Sequence, residues 1–202
     1  MSKAGKTKVS GVLLAAGTST RFGDNNKLLV EIDGLPLVRL VAERLIASRL
    51  AGTVVVTGHD ADRVETALSG LRLHIAHNSD FRSGMASSLK CGIAAVDAEA
   101  FGAMIVLGDM PGVTTELVDQ LLTAFESEGS DSIVFPVDAN GRQGNPVIWP
   151  QRFFAAMSSL TGDKGAKKLI AENPDAVVEV RMDDDAIFRD IDVPGDLAVD
   201  ET

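Results

Sequence analysis

A turn of small residues with two cations follows the first apolar run of the sequence. Residues 14–23 read LAAGTSTRFG, and Lys27 follows a few positions later. Small side chains let backbone amides approach a ligand closely, and Arg21 and Lys27 are spaced to hold a polyphosphate. The segment therefore predicts a nucleotide-phosphate site. The alternative is an ordinary strand-to-helix turn that carries two solvated cations.

Three acidic residues are candidates for binding a divalent cation. Asp109 lies in a GDMP segment directly after another apolar run, and Asp190 and Asp192 lie near the carboxyl end. Magnesium prefers one or two carboxylates together with phosphate oxygens and water, which a triphosphate site supplies. On an extended segment Asp190 and Asp192 point to the same face. We expect Asp109 and one of these two, with Asp192 preferred, to bind Mg²⁺. The alternatives are a turn-stabilising Asp109 and a helix-capping aspartate.

Three polar segments are candidates for contacting a nucleobase or an acceptor, the second substrate to which a group from the nucleotide would be transferred. Residues 78–88 contain GMASS, although the same segment equally fits a helix start capped by Ser83. Residues 144–147 read GNPV and follow a long polar turn that is expected to be a surface loop. The GDKG at 162–165 opens a predicted helix, where backbone amides and Lys164 could meet a phosphate. A charged turn before a surface helix is the alternative for this third segment.

Other conspicuous residues are expected to have no chemical role. His74 and His77 lie three apart on a predicted strand, so their side chains should face opposite ways and not share a metal. His59 is interpreted as a loop residue, and the acidic run 183–185 as a solvated turn. Cys91, between apolar helical neighbours, is expected to be a packed thiol rather than a nucleophile.

The elements that must position these residues alternate along the chain. Short β-branched apolar runs, of which the first four are interpreted as buried strands, lie at residues 9–14, 53–56, 71–76, 103–107, 132–137, 177–180 and 187–191. Apolar residues at helical spacing lie between them, at Leu37, Val41, Leu45, Val64, Ala67, Leu68, Leu117, Leu121 and Phe125. This alternation predicts an α/β protein with a mostly parallel sheet covered on both faces, a Rossmann-like three-layer arrangement. Ligands bind such sheets at the carboxyl ends of the strands, where the candidate residues lie.

Composition narrows the class of protein. The chain has 202 residues, 45% of them hydrophobic, and one cysteine, so a single domain over residues 9–202 with a short tail at 1–8 is expected, without disulfides. A net charge of -10, scattered basic residues and 4% aromatic content argue against nucleic-acid binding. No apolar run approaches the length of a bilayer crossing. We therefore expect a cytoplasmic protein with small-molecule partners.

The motifs together resemble one family. Residues 14–23 are similar to the signature L-x-A-G-x-S-x-R-x-G of the molybdenum-cofactor nucleotidyltransferases, within the MobA-like nucleoside-triphosphate (NTP) transferase superfamily. The GDMP segment, the GDKG segment and the DIDVPGDL ending at 190–197 also resemble family motifs, and they occur in the family order. The resemblance extends from Val12 to Leu197.

The resemblance implies a fold, a reaction and a set of site residues. The implied fold is of the nucleotide-diphospho-sugar transferase type. The implied reaction is Mg²⁺-dependent transfer of a nucleotidyl group to molybdopterin with release of pyrophosphate, and Arg21, Lys27 and Asp109 are the implied catalytic residues. The implied nucleotide-binding residues are Leu14, Ala15, Ala16, Gly17, Arg21, Lys27, Gly84, Ser88 and Gly108. The implied acceptor-binding residues are Asn145, Pro146, Asp163, Lys164 and Gly165.

The first loop also bears on the choice of nucleotide. Guanylyl members of the family usually have L-A-G-G, whereas residues 14–17 read LAAG, as in cytidylyl members, so CTP is predicted in preference to GTP. Asn145 stands where cytidylyl members usually have histidine, which leaves the acceptor open. Molybdenum hydroxylases or their chaperones are the partners that this reading implies. The alternatives are a guanylyltransferase, a sugar-phosphate nucleotidyltransferase and a non-catalytic carrier of molybdenum cofactor.

Overall fold

The computed structural model describes residues 8–19, 22, 26–162 and 166–182. The described residues contain nine strands: β1 (Val9–Ala15), β2 (Glu31–Ile32), β3 (Leu35–Pro36), β4 (Thr53–Thr57), β5 (His74–His77), β6 (Gly102–Leu107), β7 (Ile133–Val137), β8 (Val147–Pro150) and β9 (Val177–Arg181). The predicted site residues outside the described ranges are Arg21, Asp163, Lys164, Gly165, Asp190 and Asp192. The predicted strand at 187–191 and the acidic run 183–185 also lie outside them.

Seven strands form one twisted sheet in the order β5-β4-β1-β6-β8-β7-β9. β1 pairs in parallel with β4 and β6, β4 with β5, and β7 with β9. β8 runs antiparallel to both of its neighbours. The mostly parallel sheet is confirmed. The sequence analysis missed β8, because a run of four residues that ends in Pro150 is too short to stand out as a strand.

Within the described ranges six α-helices accompany the sheet: α1 (Leu37–Ala47), α2 (Ala61–Ala67), α3 (Met85–Ala94), α4 (Thr115–Ser127), α5 (Phe154–Ser158) and α6 (Lys167–Glu172). Neighbouring residues of β1 point to opposite faces, as a strand requires. Leu13 packs in a core with apolar residues of α1, α2 and α4, whereas Val12 packs in a second core with residues of α3 and α5. Two cores on opposite faces of one sheet confirm the three-layer α/β/α prediction.

The helical periodicity in the sequence marks the buried faces of α1 and α4. Leu37, Val41 and Leu45 are fully buried on α1, as are Leu121 and Phe125 on α4. α4 begins with a capped turn, because the side chain of Thr114 accepts a hydrogen bond from the backbone N–H of Leu117 at 3.2 Å. Each helix therefore presents one apolar stripe to the sheet.

The buried strand predicted at residues 71–76 differs from the structure in its bounds and in its exposure to solvent. The strand found there is β5, which among the described strands lies at the edge of the sheet and pairs with β4 alone. Its two histidines, His74 and His77, are exposed, and Ile75 and Ala76 are only partly buried. An edge strand has a neighbour on one side alone, so an apolar run is not enough to bury it.

The strand ends that carry the candidate residues converge at one edge of the sheet. β1, β4, β5 and β6 are adjacent and parallel, so the loops that follow them leave the sheet on the same side. The antiparallel β8 reaches this edge with its amino end, since Val147 pairs with Ile105. In the described part of the chain, no helix combines the length and the apolar composition that a bilayer crossing requires.

Candidate active site

A cavity of about 550 Å³ opens where the loops after β1, β5 and β6 converge. This volume lies in the range of small-molecule sites. The lining residues are Leu14, Ala16, Gly17, Thr18, Ser19, Phe22, Lys27, Leu28, Phe81, Arg82, Gly84, Met85, Ser88, Leu107 and Asp109. The structure thus brings together six of the residues predicted to bind nucleotide: Leu14, Ala16, Gly17, Lys27, Gly84 and Ser88. Ala15 and Gly108, also predicted, are buried beside it.

An ion pair lies in this cavity. The Lys27 ammonium donates a hydrogen bond to Oδ2 of Asp109, 82 positions further along the chain. The two side chains are only 16% and 18% exposed, so the pair is shielded from most of the solvent. The β1–β6 pairing explains the contact, because Gly108 N–H donates to the Leu14 carbonyl at 3.0 Å and so fixes Asp109 above the loop that follows β1.

A small polar network holds Lys27 in position. The buried Asn26 caps the 3₁₀ turn Lys27–Leu29, since its Oδ1 accepts from the backbone N–H of Leu28 at 3.0 Å. The Lys27 N–H donates to Oγ of Ser19 at 3.3 Å, and Ser19 Oγ donates to Asn26 Oδ1 at the same distance. Ser19 belongs to the signature at residues 14–23 but was assigned no role from the sequence, and Asn26 was not singled out. The cap consensus of an asparagine before a short helical turn is the signal that could have identified Asn26.

One carboxylate oxygen in the cavity fits the environment of a cation ligand. Oδ1 of Asp109 is buried and has no hydrogen-bond partner among the described residues, although buried carboxylate oxygens are normally paired. A divalent cation would satisfy this oxygen while Oδ2 remains paired with Lys27. The described residues contain no cluster of three or more acidic, histidine or cysteine ligands. Metal binding by Asp109 therefore stays a prediction, as does that by Asp190 or Asp192.

The turn between β5 and α3 is organised by a buried amide. Asn78 is 6% exposed, and its Nδ2 donates to Oγ of Ser87 at 2.9 Å and to Oγ of Ser88 at 3.0 Å. Its Oδ1 accepts from the backbone N–H of Asp80 at 3.0 Å. One side chain thus connects the end of β5 to the first turn of α3 and places Ser88 on the cavity wall.

The start of α3 differs from the expected serine cap. The helix begins at Met85, and Gly84 precedes it with φ 99° and ψ 178°, a conformation accessible essentially to glycine alone. Ser83 instead donates its hydroxyl to the carboxylate of Asp80. The Ser83 cap was therefore wrong, because the hydroxyl is used within the preceding turn.

Two cavity residues, Phe81 and Arg82, were not singled out from the sequence. Phe81 packs closely against Gly58, which has no side chain. A Cβ added at Gly58 would lie 2.8 Å from Cβ of Phe81 and 2.8 Å from Cβ of Ala16. The loop after β4 therefore packs between the loop after β1 and the Phe81 turn. The Arg82 guanidinium carbon lies 5.5 Å from the centroid of the Phe81 ring. An aromatic residue beside an arginine is too common in sequences to mark a site.

The described residues of the segments predicted to bind the acceptor lie near the same edge. The backbone N–H of Ala86 donates to the Gly162 carbonyl at 3.1 Å, which places the first residue of the GDKG segment against the first turn of α3. Asn145 and Pro146, joined by a cis peptide bond, directly precede β8 at the edge where β6 ends. Asn145 and Pro146 are not among the residues that line the cavity.

The loop before Asn145 is anchored by an aspartate rather than freely exposed. Asp138 is 7% exposed, and its Oδ1 accepts from the backbone N–H groups of Asn140 at 2.9 Å and Arg142 at 2.7 Å. The hydrogen bond from the Arg142 backbone lowers the pKa of Asp138 below its usual value, and the Asn140 backbone and the Arg142 charge act in the same direction. The predicted surface loop thus has a buried anchor.

Cys91 behaves as the sequence suggested. Burial raises the pKa of its thiol, and the residue packs against the core formed with α3. A thiol with a raised pKa is a poor nucleophile at neutral pH.

Comparison with known proteins identifies relatives of the whole chain. Residues 11–177 match the MobA-like NTP transferase domain. The chain is 30% identical over 188 residues to a nicotine blue oxidoreductase of Paenarthrobacter nicotinovorans, which covers 91% of this chain and 92% of that protein. It is 27% identical over 201 residues to a molybdenum cofactor guanylyltransferase of Cupriavidus metallidurans, with 96% and 95% covered.

A solved structure shows the same fold. The crystal structure of a Mycobacterium tuberculosis rv0371c homolog from Mycobacterium sp. strain JC1 superposes with a TM-score of 0.83 and 30% sequence identity, over 96% of each chain. The fold is of the nucleotide-diphospho-sugar transferase type, as the sequence predicted.

Proposed function

Because the chain belongs to the MobA-like NTP transferase family and is a nucleotidyltransferase, we propose that it transfers a nucleotidyl group from an NTP to molybdopterin. The observation that carries the proposal is the Lys27–Asp109 pair within the cavity, with one buried oxygen of Asp109 that no residue in the described part of the chain pairs with. A cation and a carboxylate at the edge where parallel strands end are suited to a metal-bound polyphosphate.

The reaction requires positioning more than activation of a nucleophile. The phosphate monoester of the acceptor already carries anionic oxygens at neutral pH. One of these oxygens attacks the α-phosphorus of the NTP, and the bond from that phosphorus to the bridging oxygen of pyrophosphate breaks. Pyrophosphate leaves opposite the attacking oxygen and takes the electron pair of the broken bond. Because the attacking oxygen is already anionic, no proton needs to be removed from it.

Each residue has a defined task in this proposal. Lys27, together with Arg21, neutralises the β- and γ-phosphates, and the hydrogen bond to Asp109 keeps the Lys27 ammonium at the cavity wall. Asp109, with Asp192 or Asp190, would hold Mg²⁺, which neutralises charge on the triphosphate when it is bound. Ser88 and Gly84 also line the cavity, and they form the wall proposed to border the base.

The names of the relatives and the sequence of the first loop favour different nucleotides. Relatives named molybdenum cofactor guanylyltransferase favour GTP. The cytidylyl prediction depends on Ala16, whose side chain is only 4% exposed and packs against Gly58, so little of its methyl group faces a base. We therefore propose guanylyl transfer as the better supported form of the reaction and keep CTP as the alternative.

The test offers GTP, CTP, ATP and UTP separately with molybdopterin and Mg²⁺ and follows pyrophosphate release. Release with GTP is the expected result; release with CTP alone would reverse the choice of nucleotide. Release only with a sugar phosphate as acceptor would contradict molybdopterin. An Asp109→Asn variant should be nearly inactive, whereas Asp62→Asn, an exposed change on α2, should behave as the wild type.

A redox assay separates this proposal from the activity named for one relative. Because one 30%-identical relative is named an oxidoreductase, the same preparation is tested for NADH or NADPH oxidation with nicotine blue as acceptor. Dye reduction without pyrophosphate release would contradict nucleotidyl transfer. Molybdopterin binding without turnover of any NTP would favour the carrier alternative.

A further inference from the structure

Arg82 is a cation on the cavity wall that the reaction described above does not use. It lines the cavity together with Phe81 and Met85, on the turn that precedes α3. In the described part of the chain its guanidinium makes no ion pair and no hydrogen bond, whereas Lys27 is paired with Asp109. A guanidinium has five N–H donors in a fixed fork, so this side chain offers unused donors to a ligand in the cavity.

The neighbouring Phe81 ring, itself packed against the loop after β4, restricts where this guanidinium can lie. The guanidinium stacks on the Phe81 ring, at 5.5 Å from the ring centroid. The ring is held against Gly58, where an added Cβ would lie 3.1 Å from Cγ of Phe81, and its centroid is 6.0 Å from that of His59. An arginine restrained in this way loses less conformational entropy on binding than a freely mobile one.

The charge of Arg82 selects an anionic ligand. The chain has a net charge of -10, so an anion is not attracted by the protein as a whole and must be captured locally. The planar guanidinium matches a phosphate group, with which it can form two parallel hydrogen bonds. Both substrates of the proposed reaction carry phosphate, so the position of Arg82 must decide between them.

The turn that carries Arg82 leads into α3, and α3 contacts Gly162, the first residue of the predicted GDKG acceptor segment. α3 begins three residues after Arg82, and the Ala86 N–H in its first turn donates to the Gly162 carbonyl at 3.1 Å. The triphosphate, by contrast, is assigned to the loop after β1 and to Lys27. Resting on the proposed function, we propose that Arg82 binds the phosphate monoester of the acceptor and orients it toward the α-phosphorus of the NTP.

The test compares Arg82→Ala, Arg82→Lys and the matched control Arg72→Ala, which removes an exposed arginine outside the cavity. The KM for the acceptor should rise by about 10- to 100-fold in Arg82→Ala, the range expected for lost hydrogen bonds to a charged group, and the KM for the NTP should stay within about twofold. Arg82→Lys should recover part of this loss, since it restores charge but not the fork. Arg72→Ala should match the wild type.

Inorganic phosphate is the probe that does not depend on turnover. Its dissociation constant, measured by isothermal titration calorimetry, should rise by about tenfold in Arg82→Ala and not in Arg72→Ala. Equal phosphate binding by Arg82→Ala and Arg72→Ala would overturn the inference, as would a rise in the KM for the NTP alone. A wild type that is inactive with every NTP but binds phosphate through Arg82 would refute the proposed reaction and leave the phosphate site standing.

Discussion

Lys27 and Asp109 come from opposite halves of the chain, yet they share a hydrogen bond within the cavity. Lys27 occupies one oxygen of the carboxylate, and the second oxygen is buried with no partner within residues 8–19, 22, 26–162 and 166–182. The ammonium thus holds the side chain of Asp109 in one orientation and leaves a single oxygen for a ligand. This arrangement explains how a site with few acidic residues can still present a fixed carboxylate to a metal-bound triphosphate.

Replacing Asp109 tests this arrangement directly. Asp109→Asn keeps the size of the side chain and removes its charge, so kcat should fall by about 10²–10³-fold, as for other electrostatic groups at reacting phosphates, with a smaller change in KM. Steady-state pyrophosphate release with saturating acceptor gives both constants. The exposed Asp62→Asn is the matched control, and an unchanged kcat in Asp109→Asn would remove Asp109 from the reaction.

Gly84 is expected to tolerate no side chain. Its φ of 99° with ψ of 178° should make Gly84→Ala cost about 1–3 kcal/mol, and relaxation of the turn should raise the KM for the NTP because Gly84 lines the cavity. Urea denaturation and steady-state kinetics measure the two effects. Gly129→Ala, at φ 69° after α4, should lower stability without changing any KM. A Gly84→Ala enzyme with normal KM values would show that this backbone conformation does not shape the site.

Asn78 should contribute both stability and geometry. Asn78→Ala removes two hydrogen bonds to serine hydroxyls and one acceptor for the Asp80 N–H, so we expect a loss of about 1–3 kcal/mol and a raised KM for the NTP. The comparison variant is Asn173→Ala, which loses one bond, to the Leu169 carbonyl, at the end of α6. If both variants show the same KM values, Asn78 has only a structural role.

The anchored loop before Asn145 predicts a specific pH dependence. Because the folded-state pKa of Asp138 is lowered, its contribution to stability should be complete above the unfolded value of about 3.9 and be lost as the pH falls through the folded-state pKa. The melting temperature of Asp138→Asn should therefore lie below that of the wild type at neutral pH, and the difference should shrink only in strong acid. A difference that already disappears at about pH 5–6 would contradict a lowered pKa.

Much of the fold was readable from the sequence because its signals are local. The spacing of Leu37, Val41 and Leu45 marks one helical stripe, and the Thr114 cap precedes the next long helix. The apolar runs of β1, β4 and β6 identify strands buried on both faces. These patterns depend on residues near each other in the chain, so no knowledge of the sheet order is needed to recognise them.

The failures occurred where pairing across the chain decides the outcome. Burial of β5 depends on its place at the edge of the sheet, and the short β8 is a strand only because β6 and β7 lie on either side of it. The Ser83 hydroxyl could either accept from a backbone N–H as a helix cap or donate to Asp80, and in the turn that precedes Gly84 it donates to Asp80. Such outcomes depend on long-range neighbours, which the local pattern does not specify.

For the site, the sequence by itself determined which chemical groups are available: a loop of small residues with cations and a carboxylate after a buried strand. The alternation of strands and helices also determined that both lie at one edge of the sheet. Only the tertiary structure decided that Lys27 pairs with Asp109, that Gly58 packs between Ala16 and Phe81, and that Arg82 faces the same cavity. The physical reason is that residue types fix charge and hydrogen-bonding capacity, whereas distance and burial depend on how separate segments pack together.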